Sequence, residues 1–331
     1  MGKKGGLNFF GAENRECCMG FLKGTKVLIG PSTFGLQDQT PLKCLRDAGC
    51  EVVENPYKRR LAKEELLELL ADDVTSLIAG LETIDREVLE KTNLKVISRC
   101  GAGIENIDLE AAIQLGIKVC YTPLGPTTAV AELTIAALLN LLRSVHIMNG
   151  ELHQGKWTKI TGNQLEGKTV AIIGFGRIGK RVASLLKAFN VNIMAVDCNA
   201  QEHIEGVQAC SIKEALEKAD IITLHASGCD QIIGSEEFKL MKKGVFLLNS
   251  SRGGVVDEES LIEALESKKV AGVWLDTFTA EPYTGRLQDY PQALLTPHVG
   301  SYTVEGRQKM EMDAVNNLID AFKESYDRAR Y

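Results

Sequence analysis

One stretch constrains this chain more than any other. Lys168-Thr-Val-Ala-Ile-Ile-Gly174-Phe-Gly176-Arg177-Ile178-Gly179 combines a buried-strand pattern, a glycine-rich turn and the start of a helix. A G-x-G-x-x-G triplet alone is a weak signal. Here a strand precedes it, a helix follows, and Asp197 ends the next strand eighteen residues beyond Gly179. Gly174 permits the tight turn, Gly176 lets backbone approach a pyrophosphate, and Gly179 lets helix and strand pack closely. Arg177 and Ile178 open the helix, whose unpaired N–H groups and positive dipole end suit phosphate. Asp197 is expected to accept hydrogen bonds from the ribose 2′- and 3′-hydroxyls and to repel a 2′-phosphate. Cys198, Asn199 and Ala200 supply no compensating cation. A charge-assisted hydrogen bond worth roughly 1.5–3 kcal/mol sets the expected preference for NAD(H) over NADP(H) at about tenfold or more.

Around this turn, short apolar runs alternate with helical patterns, as in βα units about a parallel sheet. The 331 residues suffice for two domains. The first series predicts strands at 26–29, 51–54, 76–79, 95–98 and 117–120, with helices at 41–48, 63–70, 85–90 and 109–115 between them. A single long helix is expected over about 127–152. The second series predicts strands at 169–173, 192–196, 221–224, 245–249 and 272–275. Its helices are expected at 177–189, 212–217, 236–241 and 258–266, with Ser211 and Glu214 forming a capping box. A last helix covers about 303–324. The fold class expected is α/β, with two doubly wound domains.

Composition excludes more than it assigns. A net charge of -6 argues against a general nucleic-acid or anionic-membrane binder, though not against an anionic substrate held by a local arginine. Nine cysteines, an odd number without metal-ligand spacing, read as reduced, packed thiols of a cytoplasmic protein that holds no metal. Glu13, Arg15 and Glu16 interrupt any secretory apolar region, and Gly6 stands where a myristoylation site wants Ser or Thr. The most apolar helix candidate, 129–142, carries Glu132 and is too short to span a bilayer. Residues 1–24 read as a poorly ordered extension with no assigned role.

Three segments that end strands of the second series carry chemistry. They are Asn249-Ser250-Ser251-Arg252-Gly253-Gly254, Trp274-Leu-Asp276 with Glu281-Pro282, and Thr296-Pro297-His298-Val-Gly300-Ser301. Ligands of open α/β sheets bind beyond the carboxyl ends of strands. Hydride transfer to a 2-keto acid needs an anchored anion, a polarised carbonyl and a proton. The fork of Arg252 suits the first two, and His298 suits the third because histidine as a residue type exchanges protons near working pH. A carboxylate beside the histidine fixes its tautomer.

With these motifs, Gly101-Ala-Gly-Ile-Glu-Asn106-Ile-Asp108 and Ala129-Val-Ala-Glu132, the chain resembles the D-isomer-specific 2-hydroxyacid dehydrogenases, most of all the phosphoglycerate-dehydrogenase branch. The match covers about 26–322. The resemblance implies an NAD-binding Rossmann domain, 123–302, inserted into a flavodoxin-like substrate domain, 25–122 plus 303–331. It implies that Arg252 holds the substrate carboxylate, His298 is the acid/base, and Glu281 hydrogen-bonds His298. Asp276 would hold the nicotinamide carboxamide. Ala226, Ser250 and Gly300 would also touch the cofactor. Cys100, Gly101, Ala102 and Gly103 would bind substrate through backbone N–H groups. A homodimer built partly by the long helix is implied, with hinges near Pro123 and Ser301, and a role in serine biosynthesis on a small anionic 2-hydroxy or 2-keto acid such as 3-phosphoglycerate. The chain's end at Tyr331 reads as the short form without a regulatory domain.

Two departures stand out. After the strand at 221–224 the family's His-x-Pro is replaced by His225-Ala226-Ser227-Gly228. Where phosphoglycerate enzymes often place Arg-Ser, the chain has Ala79-Gly80-Leu81-Glu82, and Glu82 would repel a phosphate if it faced the cleft. His225 reads as structural or near the cofactor, and His146, His153 and His203 as surface residues. Arg99 reads equally as a substrate aid or a structural ion pair. The alternatives are an NADH-sensing corepressor and phosphite oxidation on the same scaffold. Formate oxidation, which pairs its histidine with Gln, is disfavoured by Glu281.

Overall fold

The computed structural model describes residues 20–71, 73–197, 205–228 and 230–328, the side chains of 325–328 excepted. Most of the expected N-terminal extension, the residues just after Asp197, and His203 lie outside these ranges. The chain divides into two compact units. One runs up to Gly125 and resumes at Val304, and the other is Pro126–Thr303.

In chain order the first unit contains β1 (Lys26–Ile29), α1 (Thr40–Asp47), β2 (Glu51–Glu54), α2 (Lys63–Leu69), β3 (Val74–Ala79), α3 (Arg86–Glu90), β4 (Val96–Arg99), α4 (Leu109–Gln114) and β5 (Lys118–Tyr121). The strands form one parallel sheet in the order β2-β1-β3-β4-β5, reversing direction of growth between β1 and β3. Both faces are covered, so the strands are nearly continuous apolar runs. Alternation sends Leu28, Leu77 and Ile97 into one core layer, and Val27, Ile29, Ile78 and Val96 into the other. Asp85 and Asp108 cap α3 and α4 by accepting from Val88 N at 3.1 Å and Ala111 N at 2.9 Å. Such a cap contributes about 1 kcal/mol. Residues 20–24, expected to be loose, turn back onto α1 instead. Leu22 N donates to Ala48 O at 2.8 Å, and its side chain is buried in the core.

The second unit contains α5 (Pro126–Arg143), α6 (Val145–His153), β6 (Thr169–Ile173), α7 (Arg177–Leu186), β7 (Asn192–Val196), β8 (Val207–Ala209) and α8 (Ile212–Lys218). It continues with β9 (Ile221–Leu224), α9 (Ser235–Leu240), β10 (Val245–Asn249), α10 (Glu258–Glu266), β11 (Val270–Leu275) and β12 (Ala293–Leu295). Its sheet is also parallel, ordered β12-β11-β10-β9-β6-β7-β8. That is the dinucleotide-binding order with one strand added, and its switch point lies between β6 and β9. Val170 and Ile172 face one core layer, Ala171 and Ile173 the other. The first unit closes with α11 (Val304–Arg328), whose Ala314, Val315 and Leu318 pack on its sheet.

The two doubly wound domains expected from the sequence are present. The single long helix is not. It breaks at Ser144, which sits in the left-handed region at φ 48°, and α5 and α6 diverge by 68°. The Asn140 side chain stabilises the break by accepting from His146 N at 2.9 Å. His146, expected at the surface, is half-buried. Its ring meets Asn140 Oδ1 at 2.9 Å and Pro291 O at 3.0 Å, and burial lowers its pKa. Among the described residues no single helix is long and apolar enough to cross a membrane, and no group of three His, Cys, Asp or Glu is placed to hold a metal ion. Cys50, Cys100, Cys120 and Cys210 are free thiols, and burial pushes Cys50 up to about 11 and Cys100 to about 12.

Candidate active site

The glycine turn after β6 is fixed by sterics. Gly174 lies at φ +91°, and a Cβ there would stand 2.5 Å from the His225 carbonyl carbon and clash with Ala226 N. A Cβ on Gly179 would strike Gly174 O. Gly176 differs, because nothing lies within 4 Å of where its Cβ would be. It N-caps α7 without a side-chain cap, so the first N–H groups of the helix open onto that empty cradle. A Cβ would fill the space a pyrophosphate needs, and the residues present therefore fit a dinucleotide. Arg177 is exposed beside the cradle and Ile178 half-buried behind it. Asp197 stands at the end of β7, where its Oδ2 accepts from Phe175 N at 2.6 Å. The turn thus orients the carboxylate expected to meet the ribose.

At the end of β9, His225 is held between two hydroxyls, Thr223 Oγ1 at 2.9 Å from Nε2 and Ser250 Oγ at 3.2 Å from Nδ1. Burial pushes its pKa down to about 3, so it stays neutral. Ser250, expected at the cofactor, uses its hydroxyl on this ring.

The next strand presents Arg252. Asn249, fully buried at the end of β10, builds the turn with its side chain. Its Oδ1 accepts from Ser251 N at 3.0 Å and Ser251 Oγ at 2.7 Å, and its Nδ2 donates to Arg252 O at 2.8 Å. Arg252 Nη1 donates to Ser251 O at 2.8 Å. Gly253 lies flat on Phe278 and Thr279, whose backbone a Cβ would overlap. Asp276 N donates to Asn249 O at 3.0 Å, joining the Arg252 turn to the end of β11.

Asp276 in turn organises the loop after β12. Its Oδ1 accepts from Thr296 Oγ1 at 2.6 Å and Val299 N at 2.9 Å, and its Oδ2 accepts from Gly300 N at 2.8 Å. Trp274 Nε1 donates to Thr296 Oγ1 at 3.0 Å. Burial raises the Asp276 pKa while these donors oppose the rise. The clamp holds His298 at φ +53°, a backbone conformation few L-residues adopt. There His298 Nδ1 lies 2.9 and 3.1 Å from the two oxygens of Glu281, itself fixed by Phe278 N at 3.1 Å from Oε1. With Nδ1–H donated to a carboxylate, Nε2 is the nitrogen left to exchange a proton. The pair keeps contact with solvent, with side chains 33% and 25% exposed.

Arg252, Glu281, His298, Asp276, Gly300 and the Gly174–Gly179 turn therefore share the carboxyl edge of one sheet. Asn249, Thr296 and Trp274 were not singled out from the sequence. A polar residue closing the apolar run Val245–Asn249 was the available signal for the first.

The first unit holds the remaining expected residues. Cys100 is buried. Gly101, at φ +154°, gives its N–H to Thr122 Oγ1 at 2.7 Å. Ala102 is exposed and Gly103 half-exposed.

Residues 135–300 match the family model for the D-isomer specific 2-hydroxyacid dehydrogenase, NAD binding domain. D-3-phosphoglycerate dehydrogenase of Rattus norvegicus is 34% identical over 315 residues, 92% of this chain and 58% of that protein. The chain thus spans little more than half the length of the mammalian relatives it matches. Glyoxylate reductase of Thermofilum pendens is 35% identical over 291 residues, 83% of this chain and 86% of that one. Among solved structures, a Thermus thermophilus protein superposes with TM-score 0.83 at 33% identity, covering 91% of this chain and 97% of its own. A glyoxylate reductase from Paecilomyes thermophila gives 0.81 at 30% identity, covering 91% and 96%.

Proposed function

Because the chain belongs to the D-isomer specific 2-hydroxyacid dehydrogenase family, we propose that it transfers a hydride between NAD and C2 of a small D-2-hydroxy or 2-keto acid. Its second unit is an NAD-binding domain. The observation that carries the proposal is the His298–Glu281 pair at 2.9 Å, on the same sheet edge as Arg252 and the open cradle at Gly176.

The nicotinamide cofactor, when bound, would supply a hydride as NADH for reduction and accept one as NAD+ for oxidation. The protein does the rest. The guanidinium of Arg252 binds the substrate carboxylate and draws charge from the carbonyl oxygen. His298 delivers a proton from Nε2 to that oxygen, while Glu281 holds Nδ1. In oxidation the neutral imidazole takes the hydroxyl proton back. Asp276 keeps the His298 loop in place and is the proposed carboxamide partner of the nicotinamide. The test is stereochemical. Reduction of hydroxypyruvate is expected to give D-glycerate by chiral chromatography, and the L-isomer as product would overturn the proposal.

Asp197 should make the enzyme prefer NADH over NADPH by at least about tenfold in kcat/KM, and Asp197→Ala should shrink that ratio. Equal values for the two cofactors in the wild type would refute the assignment. Asn249 is proposed as a positioning residue. Asn249→Ala removes three hydrogen bonds from the Arg252 turn, at about 1 kcal/mol each. The expected result is a KM for the keto acid raised by about tenfold or more, with KM for NADH little changed. A uniform loss of kcat with both KM values intact would contradict a role through Arg252.

A further inference from the structure

Glu281 lies on the long connection between β11 and β12, whose only regular element is one 3-10 turn, Arg286–Asp289. Such connections are the mobile parts of a fold, so a carboxylate that must stay 2.9 Å from His298 Nδ1 needs support. The connection supplies it by folding back on itself. The rings of Phe278 and Tyr283 stack with centroids 4.3 Å apart and planes 23° from parallel. These two residues bracket Glu281 in sequence, and Phe278 N is the donor to Glu281 Oε1 at 3.1 Å. The stack thus closes a small loop to which the carboxylate is tied.

That loop is anchored through its phenol. Tyr283 Oη donates to Glu258 Oε1 and accepts from Leu287 N at 3.2 Å. Glu258 is the first residue of α10, a helix capped by Asp257 and buried along Leu261, Ile262 and Leu265. The anchor therefore belongs to the packed body of the second unit. Gly285 makes room for it. A Cβ there would overlap Tyr283 Oη and stand 2.7 Å from Glu258 Oε1. Burial and the hydrogen bond to Glu258 push the Tyr283 pKa up to about 12, so the phenol stays protonated and remains the donor.

We propose that Tyr283 is a positioning residue: its hydroxyl, anchored on Glu258, holds the Phe278–Tyr283 stack and through it keeps the Glu281 carboxylate on His298 Nδ1. This rests on the reaction proposed above. Tyr283 acts through Glu281 and not on the substrate. Glu281 fixes which imidazole nitrogen is engaged by the protein and which is left to exchange a proton. When the stack loosens, the carboxylate wanders and the ring presents Nε2 for only part of the time. The cost falls on the proton transfer and leaves the grip of Arg252 on the acid in place.

The experiment measures NADH oxidation with hydroxypyruvate in the wild type, Tyr283→Phe and Tyr283→Leu, each with and without Glu281→Ala. Tyr283→Phe keeps the stack and loses the anchor, and Tyr283→Leu loses both. Their kcat should fall by about threefold and by about tenfold or more, with both KM values little changed. In the Glu281→Ala background the same substitutions should cost almost nothing further, because the residue they act through is gone. Labelling with 15N-histidine gives a readout independent of turnover. The His298 ring shifts, assigned by their loss in His298→Ala, should report the Nδ1–H form in the wild type at alkaline pH and a smaller share of it in both variants. Tyr283→Phe alters one oxygen and decides the case if Tyr283→Leu does not fold. Unchanged kcat in the variants overturns the proposal, as does a fall of equal size with and without Glu281, or His298 shifts that stay at their wild-type values. A wild type that oxidises NADH with no 2-keto acid overturns the reaction, and the His298 shifts then still decide the role of Tyr283.

Discussion

His298→Ala should lower kcat for keto-acid reduction by about 10²-fold or more, the range a positioned general acid supplies. The expectation follows from the geometry of one loop. Nδ1 is engaged by Glu281 at 2.9 Å, so the imidazole presents a single exchanging nitrogen. Alanine leaves the carbonyl oxygen without a donor, and water must replace a group held in place. The loop itself should survive, because Asp276 holds it through Thr296, Val299 and Gly300 and not through the imidazole. Alanine must adopt φ near +53°, but histidine already bears that strain. A melting temperature close to wild type, with KM for the acid little changed, should accompany the fall in kcat. A loss below about tenfold would mean that the proton comes from elsewhere.

Arg252→Ala should cost about 10²-fold or more in kcat/KM, within the 2–5 kcal/mol lost when one partner of a buried charged hydrogen-bonded pair is truncated. The turn that carries it is built by Asn249 and by the flat contact of Gly253 on Phe278 and Thr279, so the backbone should keep its course without the side chain. Arg252→Lys separates charge from shape. Lysine restores a cation but not the planar fork, and Nη1, which donates to Ser251 O at 2.8 Å, shows that the fork is partly oriented before substrate arrives. Lysine should therefore recover only part of the loss. Steady-state kinetics with both substrates varied checks this, with KM for NADH as the internal control. Full activity in Arg252→Lys would show that a point charge suffices and that the proposed two-pronged grip is wrong.

Much of this architecture was legible in the sequence, for a physical reason. Strands buried on both faces must be continuous apolar runs, so β1, β6, β7 and β9 could be placed from composition alone. The Gly174–Gly179 turn was legible because Gly174 and Gly179 answer local steric demands and Gly176 leaves the start of the helix open. The break at Ser144 was not, because neither proline nor glycine marks it and a serine takes the left-handed conformation. The short strands β8 and β12 gave little periodicity to read. Asp276 was expected at the nicotinamide, yet its clamp on the His298 loop depends on β11 and β12 lying side by side. The same holds for Asn249, whose carbonyl meets Asp276 N only once β10 and β11 pair. Glu82 was legible as a charge in an unusual place, but only folding shows that it turns back into the space left by Gly30 and Gly80.

The measurement that tests the central claim most directly is NADH oxidation by the purified protein against hydroxypyruvate, glyoxylate, pyruvate, 2-oxoglutarate and 3-phosphohydroxypyruvate. The account predicts turnover with at least one of these acids, abolished or nearly so in His298→Ala. NADH that binds but is oxidised by none of them, or turnover that His298→Ala leaves intact, would contradict it.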